Sequence, residues 1–324
     1  MNFWHEKLKI KNLSFPRFIG GPVDGMTDSP YRQLIRSFSP DALLYTEIRH
    51  VRSVAHEQGG AKALRFELHE RPLNFQFTAN SLEGIELACE KVLHKGVECV
   101  DLNIGCPAKN IIQSGSGSAL MADPALLKQI VQKMRALLPI PFTVKMRAGF
   151  KEVNAYDIAQ MMQDCGVDAI AVHPRLQKQR FSGEPAYDLV AAIKKSVSIP
   201  LLFSGGIVDW ESAQQVHALT GVDGFLVSRG LYGAPWKLQE LHELSQGRAY
   251  ALSLETRIVA ACDHLDLLVN YYGPAGVYPF RKHISYYLAG LPDATIIGKT
   301  CMETEDVNQV KLALQTALKK ELSK

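Results

Sequence analysis

Eight short apolar runs recur along the first two thirds of this chain, each followed by an amphipathic stretch, which is the rhythm of repeated βα units around a parallel sheet. The runs are Phe18 to Val23, Ala42 to Glu47, Leu73 to Thr78, Cys99 to Asn103, Phe142 to Arg147, Ala169 to His173, Leu201 to Ser204 and Gly224 to Ser228. Eight strands favour closure into a (β/α)8 TIM barrel, and the same alternation also admits an open doubly wound sheet. Asp28-Ser29-Pro30 and Asp123-Pro124 read as helix starts, a cap followed by a proline in the first turn. Gly96, Gly166 and Gly221 follow helical stretches shortly before the next strand, where a left-handed residue lets the chain reverse. After about Trp236 the rhythm stops. Ser253 to Leu322 reads as helices, with turns at Tyr272-Gly273-Pro274 and Gly290-Leu291-Pro292. We expect a barrel domain over residues 1–245 and a small all-helical C-terminal domain over 246–324.

Composition narrows the function. Thirty-six Lys and Arg against 33 Asp and Glu leave a formal charge of +3, too small for a protein that coats nucleic acid, so any RNA contact must be a local patch. The six cysteines, at 89, 99, 106, 165, 262 and 301, have neither zinc-site pairing nor the density of a disulfide scaffold, which suggests a reducing compartment. The N-terminal segment has no signal-like apolar core, and no apolar run is long enough to span a bilayer. A cytoplasmic monomer, without membrane attachment or a bound metal, is expected.

Barrels carry their functional groups on the loops at the C-terminal ends of the strands. Here the first strand ends in Gly21-Pro22-Val23-Asp24-Gly25, the third carries Gln76, and the fourth leads through Asn103 to Cys106. Lys145 lies on the fifth and His173 ends the sixth. The seventh and eighth run into Ser204-Gly205-Gly206 and Ser228-Arg229-Gly230, glycine-bearing loops at the place where barrels commonly bind phosphate. Singly, each has a plain explanation: a turn glycine, a solvated lysine, a hydrogen-bonded core histidine, a small buried thiol. Converging on one mouth, they suit a flavin mononucleotide (FMN). A lysine stabilises the negative charge of the reduced ring, amides read its uracil-like edge, and the last two loops take the phosphate. Gly115-Ser116-Gly117 lacks the third glycine and the βαβ context of a dinucleotide site. No Walker A loop, paired zinc cysteines or His-x-x-x-His helix appears, so metal catalysis is not expected.

Pro22-Val23-Asp24-Gly25-Met26-Thr27-Asp28-Ser29-Pro30-Tyr31-Arg32, with Asn103-Ile104-Gly105-Cys106-Pro107 and Gly117-Ser118-Ala119-Leu120, resembles the tRNA-dihydrouridine synthase family. The similarity continues through Val144 to Gly149, His173-Pro174-Arg175, Ser182-Gly183 and Val208 to Trp236. The helical end, Tyr272 to Ala275 with Arg281 to Tyr287, is most similar to the bacterial B-type branch. The resemblance implies reduction of the C5–C6 double bond of a tRNA uridine to dihydrouridine, with FMN as cofactor and NADPH as reductant. It implies Cys106 as proton donor and Asn103 facing the target uracil. Pro22, Val23, Asp24, Gln76, Lys145, His173, Ser204, Gly205, Gly206, Ser228 and Arg229 would hold FMN, and the B-type likeness suggests uridine 17. Three loops depart from the family pattern. Ser204-Gly205-Gly206 stands for Asn-Gly-Asp, Ser228-Arg229 for Gly-Arg, and His173-Pro174-Arg175 for His-Gly-Arg, so side-chain hydrogen bonds near the phosphate are lost while backbone amides remain.

A stacked uridine must leave its stack to reach a barrel mouth, which calls for RNA contacts. The stretch Pro174 to Gly183 holds Arg175, Lys178 and Arg180 and no acid, a cationic rim. In the helical end Arg281 is the RNA candidate, beside Tyr286 and Tyr287, which fit a stacking face or a core equally well. Two other functions fit. One is a flavin barrel acting on a free dihydropyrimidine, of dihydroorotate or dihydrouracil type, which has no need of the basic loop or the helical extension. The other is an RNA-binding relative with impaired chemistry.

Overall fold

The computed structural model describes residues 2–57, 64–291 and 293–322. Its strands are β1 (Leu8–Ile10), β2 (Leu13–Phe15), β3 (Phe18–Gly20), β4 (Leu44–Tyr45), β5 (Arg49–His50), β6 (Leu73–Thr78), β7 (Cys99–Ile104), β8 (Phe142–Gly149), β9 (Ala169–Leu176), β10 (Leu201–Ser204) and β11 (Gly224–Val227). From β3 onward all pairings are parallel, in the order β4-β3-β11-β10-β9-β8-β7-β6, and pairing of β4 with β6 closes the ring. This is a (β/α)8 TIM barrel, and the open sheet is excluded.

Strand alternation sorts the side chains. On β7, Val100, Leu102 and Ile104 join the core between sheet and helices, whereas Cys99, Asp101 and Asn103 point to the barrel axis. The helix punctuation is physical. The Asp28 and Asp123 carboxylates accept from the backbone N–H of Tyr31 and Leu126, both at 3.0 Å, and so cap the helices Ser29–Phe38 and Pro124–Leu137.

Two features escaped the pattern. The second barrel strand, read as Ala42 to Glu47, is broken into β4 and β5, both paired with β6. In the gap Thr46 Oγ1 accepts from the Gln76 N–H at 2.9 Å, so a side chain takes a ladder position that a backbone carbonyl normally holds. The antiparallel hairpin β1–β2 packs Leu8, Ile10 and Phe15 against Ile19, Cys99, Ala169 and Leu202, closing the N-terminal end of the barrel. β3 also stops short of Val23, whereas β8 and β9 run on to Gly149 and Leu176.

Beyond the barrel lie the helices Leu254–Tyr272, Val277–Tyr287, Ala294–Glu303 and Val307–Leu322, with a core of their own around Leu265, Leu268, Phe280, Tyr287 and Leu314. Pro292 of the second expected turn lies outside the described residues. The helices dock on Ser29–Phe38. The Tyr31 ring lies 4.7 Å from that of His264 and 4.5 Å from that of His283, and Tyr272 Oη donates to Asp28 Oδ2 at 3.1 Å. Burial pushes both histidines down, His283 to about 3, so they dock uncharged. No helix among the described residues is long and apolar enough to cross a membrane.

Candidate active site

At the C-terminal ends of the strands lies a cavity of ≈ 430 Å³, large enough for a cofactor-sized ligand. Pro22, Val23, Asp24, Gln76, Asn103, Cys106, Lys145, His173, Ser204, Gly205, Gly206, Ser228 and Arg229 all line it. Different strands and their loops thus bring together, from widely separated positions, the residues singled out in the sequence as catalytic or cofactor-binding.

One side of the cavity is a hydrogen-bonded lattice. Asn103 Oδ1 accepts from the Gly105 and Cys106 N–H groups at 2.9 and 2.8 Å, and Asn103 Nδ2 donates to Gln76 Oε1 at 2.9 Å. Gln76 Nε2 in turn donates to Asp101 Oδ2 at 2.8 Å, and Thr143 Oγ1 donates to Asp101 Oδ1 at 2.6 Å. Asp101 is fully buried, and burial pushes its carboxyl up to about 7. The Cys106 turn is locked from behind, because Ser118 N and Oγ both donate to the Cys106 carbonyl, at 3.1 and 2.9 Å. Gly117 makes that return possible. Its φ is +59°, and a Cβ there would come within 2.9 Å of the same carbonyl. The Gly115-Ser116-Gly117 stretch therefore braces a thiol.

The other side is cationic. Lys145 is pushed down to about 8 by burial, then by Arg147, and Arg147 to about 10 by burial. His173 is pushed to about 2 by burial and by the charges of Lys145, Arg147, Arg175 and Arg229, so it is a neutral ring at any working pH. Its Nε2 accepts from Arg175 Nη1 at 3.2 Å, since a guanidinium can only donate. Among the described residues none of Lys145, Arg147, Arg175 or Arg229 has a carboxylate within ion-pair distance. Above them Gly205 holds φ at +112°, where a Cβ would sit 2.8 Å from the His173 ring, while nothing lies within 4 Å of a Cβ built on Gly206. The loop is an open cradle of backbone beside uncompensated positive charge, and it fits an anionic group such as a phosphate.

The thiol suits a proton donor. Burial raises the Cys106 pKa more than the Ala108 N–H and Lys145 lower it, which keeps the group as S–H near neutral pH.

The RNA candidates separate. Lys178 and Arg180 lie on the sixth loop beside the mouth, both exposed. Arg175 is buried, its guanidinium held by His173 and by the Gly183 carbonyl at 2.9 Å, so it braces the sixth loop and does not form its rim. Arg281 is half-buried and donates to the Thr304 carbonyl at 3.1 Å, closing the C-terminus of a helix. Its neighbour Lys282 is exposed and reaches the Gly25 carbonyl at the mouth, at 2.9 Å. Tyr287 is core, while Tyr286 is exposed against Tyr232, a lining residue. Sequence reasoning missed Arg147, Phe181 and Asp101. Arg147 and Asp101 carry a readable signal, each two positions along its strand from a residue already singled out, hence on the same face. Phe181, 55% exposed, lies over the His173 ring with the Arg229 guanidinium 4.9 Å from its centre.

Positive charge this dense, with no carboxylate in ion-pair distance of Lys145, Arg147, Arg175 or Arg229 among the described residues, fits a barrel enzyme whose cavity takes an anionic ligand beside its reactive groups. Comparison with known proteins narrows that class. A family model described as dihydrouridine synthase (Dus) matches residues 19–323, and the chain belongs to this family. It is 30% identical over 320 residues to the probable tRNA-dihydrouridine synthase 1 of Synechocystis sp., covering 97% of this chain and 90% of that one. It is 33% identical over 280 residues to tRNA-dihydrouridine synthase B of Pseudomonas syringae pv. tomato, covering 84% and 82%. With the synthase B of Escherichia coli it shares 30% identity over 305 residues, covering 92% and 95%.

Proposed function

We propose that this chain reduces the C5–C6 double bond of a uridine in tRNA to dihydrouridine, using FMN and NADPH. The observation that carries the reading is the pairing of a protonated thiol with a cation-rich, glycine-lined cradle in one cavity. Gln76, Lys145 and His173 would flank the ring, and Ser204 to Gly206 with Ser228 and Arg229 would hold the phosphate, with Pro22 to Asp24 along one wall. When bound, FMN reduced by NADPH supplies a hydride to C6 of the uracil. The resulting negative charge is spread over C5 and the C4 carbonyl, and Cys106 gives its proton to C5. Lys145 holds its own charge against burial at pH 7 and stabilises negative charge in the cavity. Asn103 positions the base and the Cys106 turn together.

The helical unit, residues 246–324, serves as the tRNA-docking domain. The groups around the mouth give it a coherent surface. Lys178, Arg180 and Lys282 supply phosphate contacts, while Phe181 and Tyr286 supply flat faces on which a displaced base can stack. The test is twofold. The purified protein should show flavin absorption bands, and tRNA from a strain lacking it should lose dihydrouridine at one position, with 17 the leading candidate. A colourless protein that refuses added FMN, or turnover of free uracil in preference to tRNA, overturns the reading.

A further inference from the structure

We propose that Asp101 is a positioning residue: its buried carboxylate anchors the far end of the Gln76–Asn103 amide chain, and through it holds Cys106 in place. The argument starts from groups that have no choice. The backbone N–H groups of Gly105 and Cys106 can only donate, so Asn103 must turn its Oδ1 toward them, at 2.9 and 2.8 Å. That leaves Asn103 Nδ2 facing β6, so Gln76 must offer Oε1, which lies 2.9 Å away. Gln76 Nε2 is then driven deeper into the barrel, where its partner has to be an acceptor. In the paired register of β6 and β7 the residue opposite Gln76 is Asp101, and Oδ2 accepts at 2.8 Å. Asn74 Nδ2 donates to Thr143 Oγ1 at 2.9 Å, which turns the Thr143 hydroxyl onto the other oxygen, Oδ1. The chain therefore has one consistent direction, with the acceptor at its root. With an apolar residue at 101, Gln76 Nε2 loses its acceptor at the fully buried end of the chain, and the amide that Asn103 leans on is no longer fixed.

The positioning role rests on the proposed part of Cys106 in the reaction; the direction of the amide chain does not. The same logic allows a reversal. In Asn103→Asp two acceptors meet, either at Gln76 Oε1 or, if Gln76 turns over, at Asp101. Adding Asp101→Asn restores every bond with the chain reversed, because the amide introduced at position 101 then donates to Gln76 and accepts from Thr143. Asp101→Asn alone keeps the original direction, its oxygen facing Gln76 and its amide donating to Thr143 Oγ1, whose own proton then turns toward Tyr45 Oη 3.4 Å away.

The decisive experiment is this double-mutant cycle read by thermal unfolding of the cofactor-free protein at about pH 8.5, with the rate of Cys106 alkylation by iodoacetamide as second readout. That pH lies well above the value of about 7 to which burial pushes the Asp101 carboxyl, so that it can only accept. Asp101→Asn should lie near the parent. Asn103→Asp should unfold roughly 3–6 °C lower, and the double variant should regain most of that loss. A double variant no more stable than Asn103→Asp overturns the proposal. For the positioning role, Asp101→Leu should change the alkylation rate severalfold and lower kcat on tRNA on the order of tenfold or more, with KM within about twofold. Parental alkylation and kcat in Asp101→Leu overturn that role, and if this variant does not fold the cycle decides alone. Rescue in the cycle together with absent tRNA reduction in the parent would leave the amide chain standing and remove the catalytic reading.

Discussion

The two sides of the cavity are built on opposite principles. Between β6 and β8, Gln76, Asp101, Asn103 and Thr143 satisfy one another, so this wall is finished before any ligand arrives. Around β9 to β11, Arg175 and Arg229 stand with neutral His173, the close-fitting Gly205 and the open Gly206, and no carboxylate lies within ion-pair distance of them among the described residues. The first wall is suited to holding reacting atoms within a narrow geometry, and the second is electrostatically incomplete without an anion. A plain barrel core has no reason to keep such an imbalance, so the contrast itself points to a charged ligand lying across both.

Substitutions that strike one wall only put this contrast at risk. The largest effect belongs to Cys106→Ala, which should lower dihydrouridine formation by about 10²–10⁴-fold while flavin absorption is retained, as measured on tRNA with the purified protein. Equal loss of bound flavin would mean that the wall is not independent of the cradle. Lys145→Ala should follow at on the order of 10²-fold. The parent's rate should also decline as pH rises through about 8, since a lysine loses its charge above its pKa, and that limb should vanish in the variant. Gly205→Ala puts a Cβ 2.8 Å from the His173 ring in a backbone conformation hostile to alanine, so FMN affinity should fall roughly tenfold by titration. The Cys106 alkylation rate should stay at the parental value. The smallest effects lie at the rim. Lys282→Ala should weaken tRNA binding a fewfold and reduce its salt dependence by about one charge, whereas Arg281→Ala should change affinity by less than about twofold.

The same contrast marks what could be read from the sequence. Barrel strands announce themselves as apolar runs bounded by glycine and cap residues, and strand-end polar residues stand out against them, which is why the cavity's lining was legible. The lattice beneath was harder. Asp101 sits inside the run Cys99 to Asn103 and looks like one polar interruption of a buried strand, although its parity with Asn103 places both on the axis. Thr46 could not be recognised at all, because its hydroxyl replaces a backbone acceptor for a residue far along the chain, Gln76. Arg281 looked available for RNA since its partner, the Thr304 carbonyl, exists only once the following helix has folded back. Arg175 reads as part of the rim for a related reason: the loop carbonyl that holds its guanidinium closes over it only once the chain has folded. The hairpin β1–β2 is hard to see in the sequence because its three-residue strands, with Lys9 and Ser14 between apolar residues, resemble an ordinary surface segment.

That hairpin has a kinetic consequence. With Leu8, Ile10 and Phe15 plugging the N-terminal end, that end is shut among the described residues and traffic reaches the reacting atoms through the mouth. On the proposed reading, nicotinamide reductant and RNA compete for one doorway, so the enzyme cannot hold both at the reacting face and must alternate between them. Initial rates plotted in double-reciprocal form should then give parallel lines, and excess reductant should slow the RNA half of the cycle by standing in its way.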